Sequence, residues 1–130
     1  MSVHKDLKDY LLADSTITAL VGQRIHVEEL PQNSPLPAIT FLRVNVEHDH
    51  DLEGETGLAT ARFQIDSWAD TPLNALALAE RVRLRLDGYQ GTMGSTTVQS
   101  ILLDAEREWS EEIDARVLQE FLVSYTEAVP

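Results

Sequence analysis

Residues 58–88 read LATARFQIDSWADTPLNALALAERVRLRLDG, and this run decides the fold. In its first part Ala59, Ala61, Phe63, Ile65 and Ser67 alternate with Thr60, Arg62, Gln64, Asp66 and Trp68. A period of two predicts a strand with one face buried and the other largely polar. Thr71 then supplies an N-cap oxygen, Pro72 suits the first helical position, and Gly88 ends a helix after Asp87. At about 100° per residue, Ala75, Leu78, Ala79, Val82 and Leu86 fall in one arc. Leu73, Ala77 and Leu84 form a second stripe nearly opposite. Asn74, Arg81 and Arg85 fill one seam between the stripes, and Glu80, Arg83 and Asp87 the other. One stripe packs on the sheet. The other meets the N-terminal helix or a neighbouring subunit, and cover from within the chain is the first expectation.

Upstream, Val3, Leu7, Tyr10 and Leu11 recur at helical spacing, and Asp14-Ser15-Thr16 caps a second short helix carrying Ile17, Leu20 and Val21 before Gly22. Arg24–Leu30 reads as a short strand. Pro31, Pro35 and Pro37 then impose an extended loop, and Ala38–Val46 is a second strand. Residues 47–57 read as a polar connection. Downstream, Gly88–Ser95 is a glycine-rich loop before strands over Thr96–Trp109 and Ala115–Thr126, joined by a hairpin at Ser110–Asp114. In the last strand Val117, Phe121, Val123 and Tyr125 alternate with Arg116, Leu118, Glu120 and Leu122. The elements predict an α+β domain: an antiparallel sheet of about four to five strands with helices packed on one face.

The chain has 130 residues, which fits one domain spanning 1–130 and able to bury about two thirds of its unfolded surface. It has no cysteine, which removes disulfides, thiolate nucleophiles and cysteine-ligated metals. The charged opening does not read as a signal peptide, and no apolar run approaches a membrane span, so a soluble, intracellular protein is expected. Ten Lys and Arg against 22 Asp and Glu give a net charge of −12. Binding to nucleic acid begins with neutralising phosphates, so a chain this acidic is a poor DNA binder. Solubility alone accounts for such a charge.

The densest cluster of ligand-type side chains is Glu47, His48, Asp49, His50 and Asp51, extended by Glu53 and Glu55. Imidazoles and carboxylates are metal ligands. A catalytic metal needs a fixed second shell, however, so a solvated hairpin tip is the simpler reading. A tip facing a channel or a partner is the functional one. His26-Val27-Glu28 has the spacing of a zinc deaminase without its cysteines, and Gly91–Thr96 lacks the lysine of a phosphate loop. No catalytic, cofactor-binding or metal site is assigned. Trp68 and Trp109 read as packing residues that are also candidates for an interface.

Across the chain, Leu12-Ala13-Asp14-Ser15, Ile17, Ala19-Leu20-Val21-Gly22 and Arg24-Ile25 are followed by Leu30-Pro31 and Leu36-Pro37-Ala38-Ile39. Then come Phe63–Trp68, the helix Ala77–Leu86 ending in Asp87-Gly88, Asp104, Glu106-Arg107, and the strand Val117–Tyr125. In that order the segments resemble the tail-completion (head–tail joining) family of tailed phages. The resemblance implies a non-catalytic subunit without cofactors, made in the host cytoplasm and then held in the virion at the head–tail junction. It implies a homo-oligomer, a hexameric ring, docked on connector or head-completion and tail-tube proteins. DNA passes through it without specific binding, and no membrane is involved. The acidic Glu47–Glu55 loop is a departure that the family pattern does not require. Two rival readings are a small metal-dependent enzyme using His48 and His50, and an acidic DNA mimic that inhibits a host protein.

Overall fold

The computed structural model describes residues 2–51, 54–110 and 114–126. Helix α1 is Val3–Leu12, α2 is Ser15–Val21 and α3 is Pro72–Leu86. The strands are β1 Ile25–Val27, β2 Ala38–Asp51, β3 Gly54–Ala69, β4 Gly91–Met93, β5 Thr96–Ser110 and β6 Ala115–Thr126. The helix starts follow the expected capping chemistry. The Asp14 carboxylate accepts from the N–H groups of Thr16 and Ile17, and the Thr71 hydroxyl from that of Asn74.

The six strands form one sheet in the order β1-β2-β3-β6-β5-β4. Neighbours in the run β2-β3-β6-β5 are antiparallel, whereas β1 runs parallel to β2, pairing Ile25 with Ile39. The α+β class is observed, but an antiparallel sheet of four to five strands is not: the sheet is mixed and has six. Two elements account for the difference. The proline-rich stretch 31–37, with a cis Leu36–Pro37 bond, carries the chain around so that β2 returns beside β1 in the same direction. Glu28, at φ 72°, ends β1 early, so only part of Arg24–Leu30 is strand. The second element is β4, formed inside the glycine-rich stretch that was expected to be a loop.

The 47–57 stretch also departs from a simple connection. The β2–β3 ladder continues through His48↔Ala59 and His50↔Glu55 to Asp51↔Gly54. Backbone hydrogen bonding between antiparallel strands does not require apolar side chains, so polar sequence extends this hairpin.

One face of the sheet is covered. Leu7 and Leu11 of α1, Ile17 and Val21 of α2, and Leu78, Val82 and Leu86 of α3 share a core with Phe41, Phe63, Ile65, Phe121, Val123 and Tyr125. A second cluster of Ala69, Ala75, Ala79, Ala115 and Val117 lies where α3 starts. Small side chains there let the helix approach β3 and β6 closely.

Candidate assembly surfaces

The face of the sheet away from the helices carries an organised set of charges and rings. Arg62 on β3 donates to Asp104 Oδ2 on β5 at 2.8 Å and to Glu120 Oε2 on β6 at 2.7 Å, bridging three strands. All three side chains are partly exposed, so the bridge fixes their positions more than it stabilises the fold. Nearer the other end, the Arg116 guanidinium lies 4.9 Å from the Trp68 ring centre and 4.3 Å from that of Trp109. Trp68 Nε1 donates to Thr40 Oγ1 at 2.9 Å, and Arg116 Nη1 is 3.6 Å from Asp66 Oδ2. Burial raises the Asp66 carboxyl above its ordinary range, against the opposing pull of the Gln64 amide and Arg116. A shallow pocket of about 200 Å³ is lined by Trp68, Trp109, Asp114 and Arg116. Reading the tryptophans singly did not reveal this arrangement. Its signal was the register: Trp68 and Trp109 both pair with Arg116.

The acidic segment falls at the far end of the β2–β3 hairpin. Glu47 and His48 are exposed on β2. Asp49, His50 and Asp51 continue that strand and Glu55 belongs to β3, with a register shift between His48 and His50. The side chains of these four residues, and Glu53 altogether, lie outside the described residues. Among the described residues, no group of three or more His, Asp or Glu is placed to hold a metal ion.

On α3 the two stripes have separate fates. Leu78, Val82 and Leu86 enter the core, whereas Leu73 is 77% exposed, Leu84 is 58% exposed and Ala77 is also exposed. Cover of the second stripe from within the chain was the first expectation, and the described residues do not supply it. The N-terminal helices meet a seam instead. Arg85 donates to the Tyr10 carbonyl through Nη2 at 2.9 Å and Nε at 3.2 Å, and lies 3.7 Å over the Tyr10 ring. Its Nε is also 3.9 Å from Asp14 Oδ2, in the cap that starts α2. That carboxylate is held below its usual range, chiefly by the hydrogen bond from the Thr16 hydroxyl. One arginine thus ties α3 to both N-terminal helices and leaves the Leu73–Ala77–Leu84 stripe outward.

Among the described residues, no helix is long and apolar enough to cross a membrane. The family model described as tail completion protein gp17 matches residues 5–122. Among solved structures, a chain of the virion of a native gene transfer agent (GTA) particle is similar in fold, with a TM-score of 0.78. The two are 20% identical over 96% of this chain and 95% of that one. No curated protein matches the sequence significantly.

Proposed function

The chain belongs to the tail completion protein gp17 family, and from that premise we propose that it is a structural subunit of the head–tail joint of a phage or prophage. The observation that carries the reading is a family match running through nearly the whole chain, over residues 5–122. The fold shared with a chain of a gene transfer agent virion agrees with it. In this reading residues 1–130 act as one non-catalytic domain without a cofactor. The protein is made in the host cytoplasm, joins the virion at the head–tail junction, and assembles as a hexameric ring. It docks on connector or head-completion and tail-tube proteins, and DNA passes through without specific binding.

Ring subunits need surface beyond what buries their own core. The exposed Leu73, Ala77 and Leu84 stripe suits a contact between copies. Glu47, His48, Asp49, His50, Asp51, Glu53 and Glu55 suit a wall or collar that repels phosphate, in keeping with a net charge of −12. The test is deletion of the gene from its phage or prophage, with the induced lysate viewed by negative-stain electron microscopy. Filled heads and separate tails, rescued by the gene in trans, are the expected result. Intact infectious virions without the gene would defeat the reading.

A further inference from the structure

From Asp104 to Ser110, β5 has seven consecutive exposed residues. One side of this stretch pairs with β6, from Ala105↔Glu120 to Ser110↔Ala115. On the other side β4 reaches only Thr96–Val98. The end of α3 then serves the next two positions, through Gly88 N–H to the Ile101 carbonyl at 2.7 Å and Leu103 N–H to Asp87 Oδ1 at 2.9 Å. Beyond Leu103, no described residue pairs with that side. In an antiparallel ladder every second residue turns its N–H and C=O away from its partner, so this edge offers a row of open donors and acceptors. Beside it lies a pocket of about 190 Å³ between β5 and the start of α3, lined in part by Pro72, Ala75, Leu76, Glu108 and Trp109.

The charges on the edge select its occupant. Asp104, Glu106 and Glu108 are all exposed, while Arg107 lies 5.7 Å from the Trp109 ring centre. Like charges placed opposite one another across a ladder are destabilising. A second copy of this chain therefore has little to offer. Pairing β5 with β5 sets these acids against themselves, and the open side of β2 beyond Phe41 leads into Glu47, Asp49 and Asp51. We propose that the Asp104–Ser110 edge is a strand-addition site for an extended segment of another protein in which basic and apolar residues alternate. Its basic residues meet Glu106 and Glu108 on the helix-facing side, and its apolar residues meet Trp109 on the other. Backbone pairing supplies affinity and the alternating side chains supply selectivity. The site is distinct from the α3 stripe and does not depend on the head–tail reading.

The probe is the peptide Val-Lys-Val-Arg-Val-Lys-Val, added to the isotopically labelled full chain and followed by amide NMR and hydrogen exchange. Saturable binding should slow exchange of alternate amides within Asp104–Ser110. The double substitution Glu106→Lys/Glu108→Lys should weaken binding by about tenfold, with amide shifts elsewhere unchanged. N-methylating the peptide backbone should abolish it. Absence of saturable binding, protection mapped to another surface, or equal binding of a Glu-for-Lys/Arg or N-methylated peptide would each overturn the proposal. Protection of the same amides by raising the chain concentration without peptide would assign the edge to a second copy instead.

Discussion

Replacing Asp6 with Ala should be among the most damaging single changes outside the hydrophobic core. Asp6 is only 2% exposed. Its Oδ2 accepts from Ser95 N–H and Ser95 Oγ, each at 3.2 Å, and from Thr96 Oγ1 at 2.7 Å. These bonds anchor α1 to the β4–β5 turn, about ninety residues away in sequence. A hydrogen bond to a charged group contributes about 1.5–3 kcal/mol, but three on one oxygen do not add, and burying the carboxylate offsets part of the gain. Alanine leaves the Ser95 N–H and the Thr96 hydroxyl without this partner, each at about 1–3 kcal/mol, so a net loss of about 3 kcal/mol is expected. For 130 residues this lowers the melting temperature by about 10 °C. Asp6→Asn keeps the shape and one acceptor and should lose less. Gly94 provides an internal control, because it sits at φ 59° and an added Cβ would be driven into the Asp6 carboxylate. Gly94→Ala should therefore cost more in the wild type than in the Asp6→Ala background, where only the backbone strain of about 1–2 kcal/mol remains. Urea unfolding of the four proteins measures the cycle. A loss below about 1 kcal/mol for Asp6→Ala, or strict additivity with Gly94→Ala, would refute the reasoning.

Leu73→Lys with Leu84→Lys should leave stability within about 0.5 kcal/mol, because both residues are exposed, yet abolish head–tail joining by the subunit. Normal joining in a complementation assay would remove the stripe from the interface. Replacing the acids of the Glu47–Glu55 segment with Ser should impair joining or DNA ejection, and unchanged particles and ejection would sink that role. Asp66 has a carboxyl raised first by burial, so its stability contribution is present in acid and lost as pH rises through the folded value. Asp66→Asn should accordingly stabilise at pH 7, with the advantage vanishing towards the carboxylate range; a less stable variant at pH 7 in urea titrations would contradict this. His26 is displaced the other way, below the usual imidazole range by burial, then by Lys8 and Arg24, and its Nε2 is buried without a hydrogen-bond partner among the described residues. Stability should fall as pH drops through the ordinary histidine value, and His26→Phe should flatten that limb in the same titrations.

The helices and five of the strands were legible because each is encoded locally. Thr71-Pro72 and Asp14 announce helix starts, and the alternation in residues 58–68 and 117–125 states which face is buried. What escaped the sequence depends on partners distant along the chain. β4 has three residues, too few for a period to register, and is a strand only because β5 lies beside it; β1 was expected within Arg24–Leu30, but not its parallel pairing with β2. The outward stripe on α3 was visible, but not its lack of cover. That follows from Arg85, which draws α1 and α2 to its own side of the helix through Tyr10 and Asp14. The Trp68–Arg116–Trp109 stack likewise needs the register of three strands, which no single stretch specifies.

That register also bears on how the net charge reaches solvent. Arg62, Arg83, Arg85, Arg116 and Lys5 are held in ion pairs with Asp104 and Glu120, Glu80, Asp14, Asp66 and Asp9. Arg24 donates to the Leu20 and Pro37 carbonyls, Arg43 to the Tyr125 hydroxyl, and Arg107 lies over Trp109. Among the ten basic side chains only Lys8 and Arg81 have no hydrogen-bond, ion-pair or ring partner among the described residues. The cations are largely spent on the chain itself, while acids such as Glu28, Glu29, Glu47, Asp70 and Glu108 stand exposed. A surface of this kind has few sites at which to neutralise a phosphate, and phosphate neutralisation is where affinity for DNA starts. In the proposed head–tail reading, such a surface would let DNA lie near the subunit without being gripped. That property suits the conduit proposed above, but solubility alone accounts for an acidic surface too, so the reading rests on the family match and not on the charge.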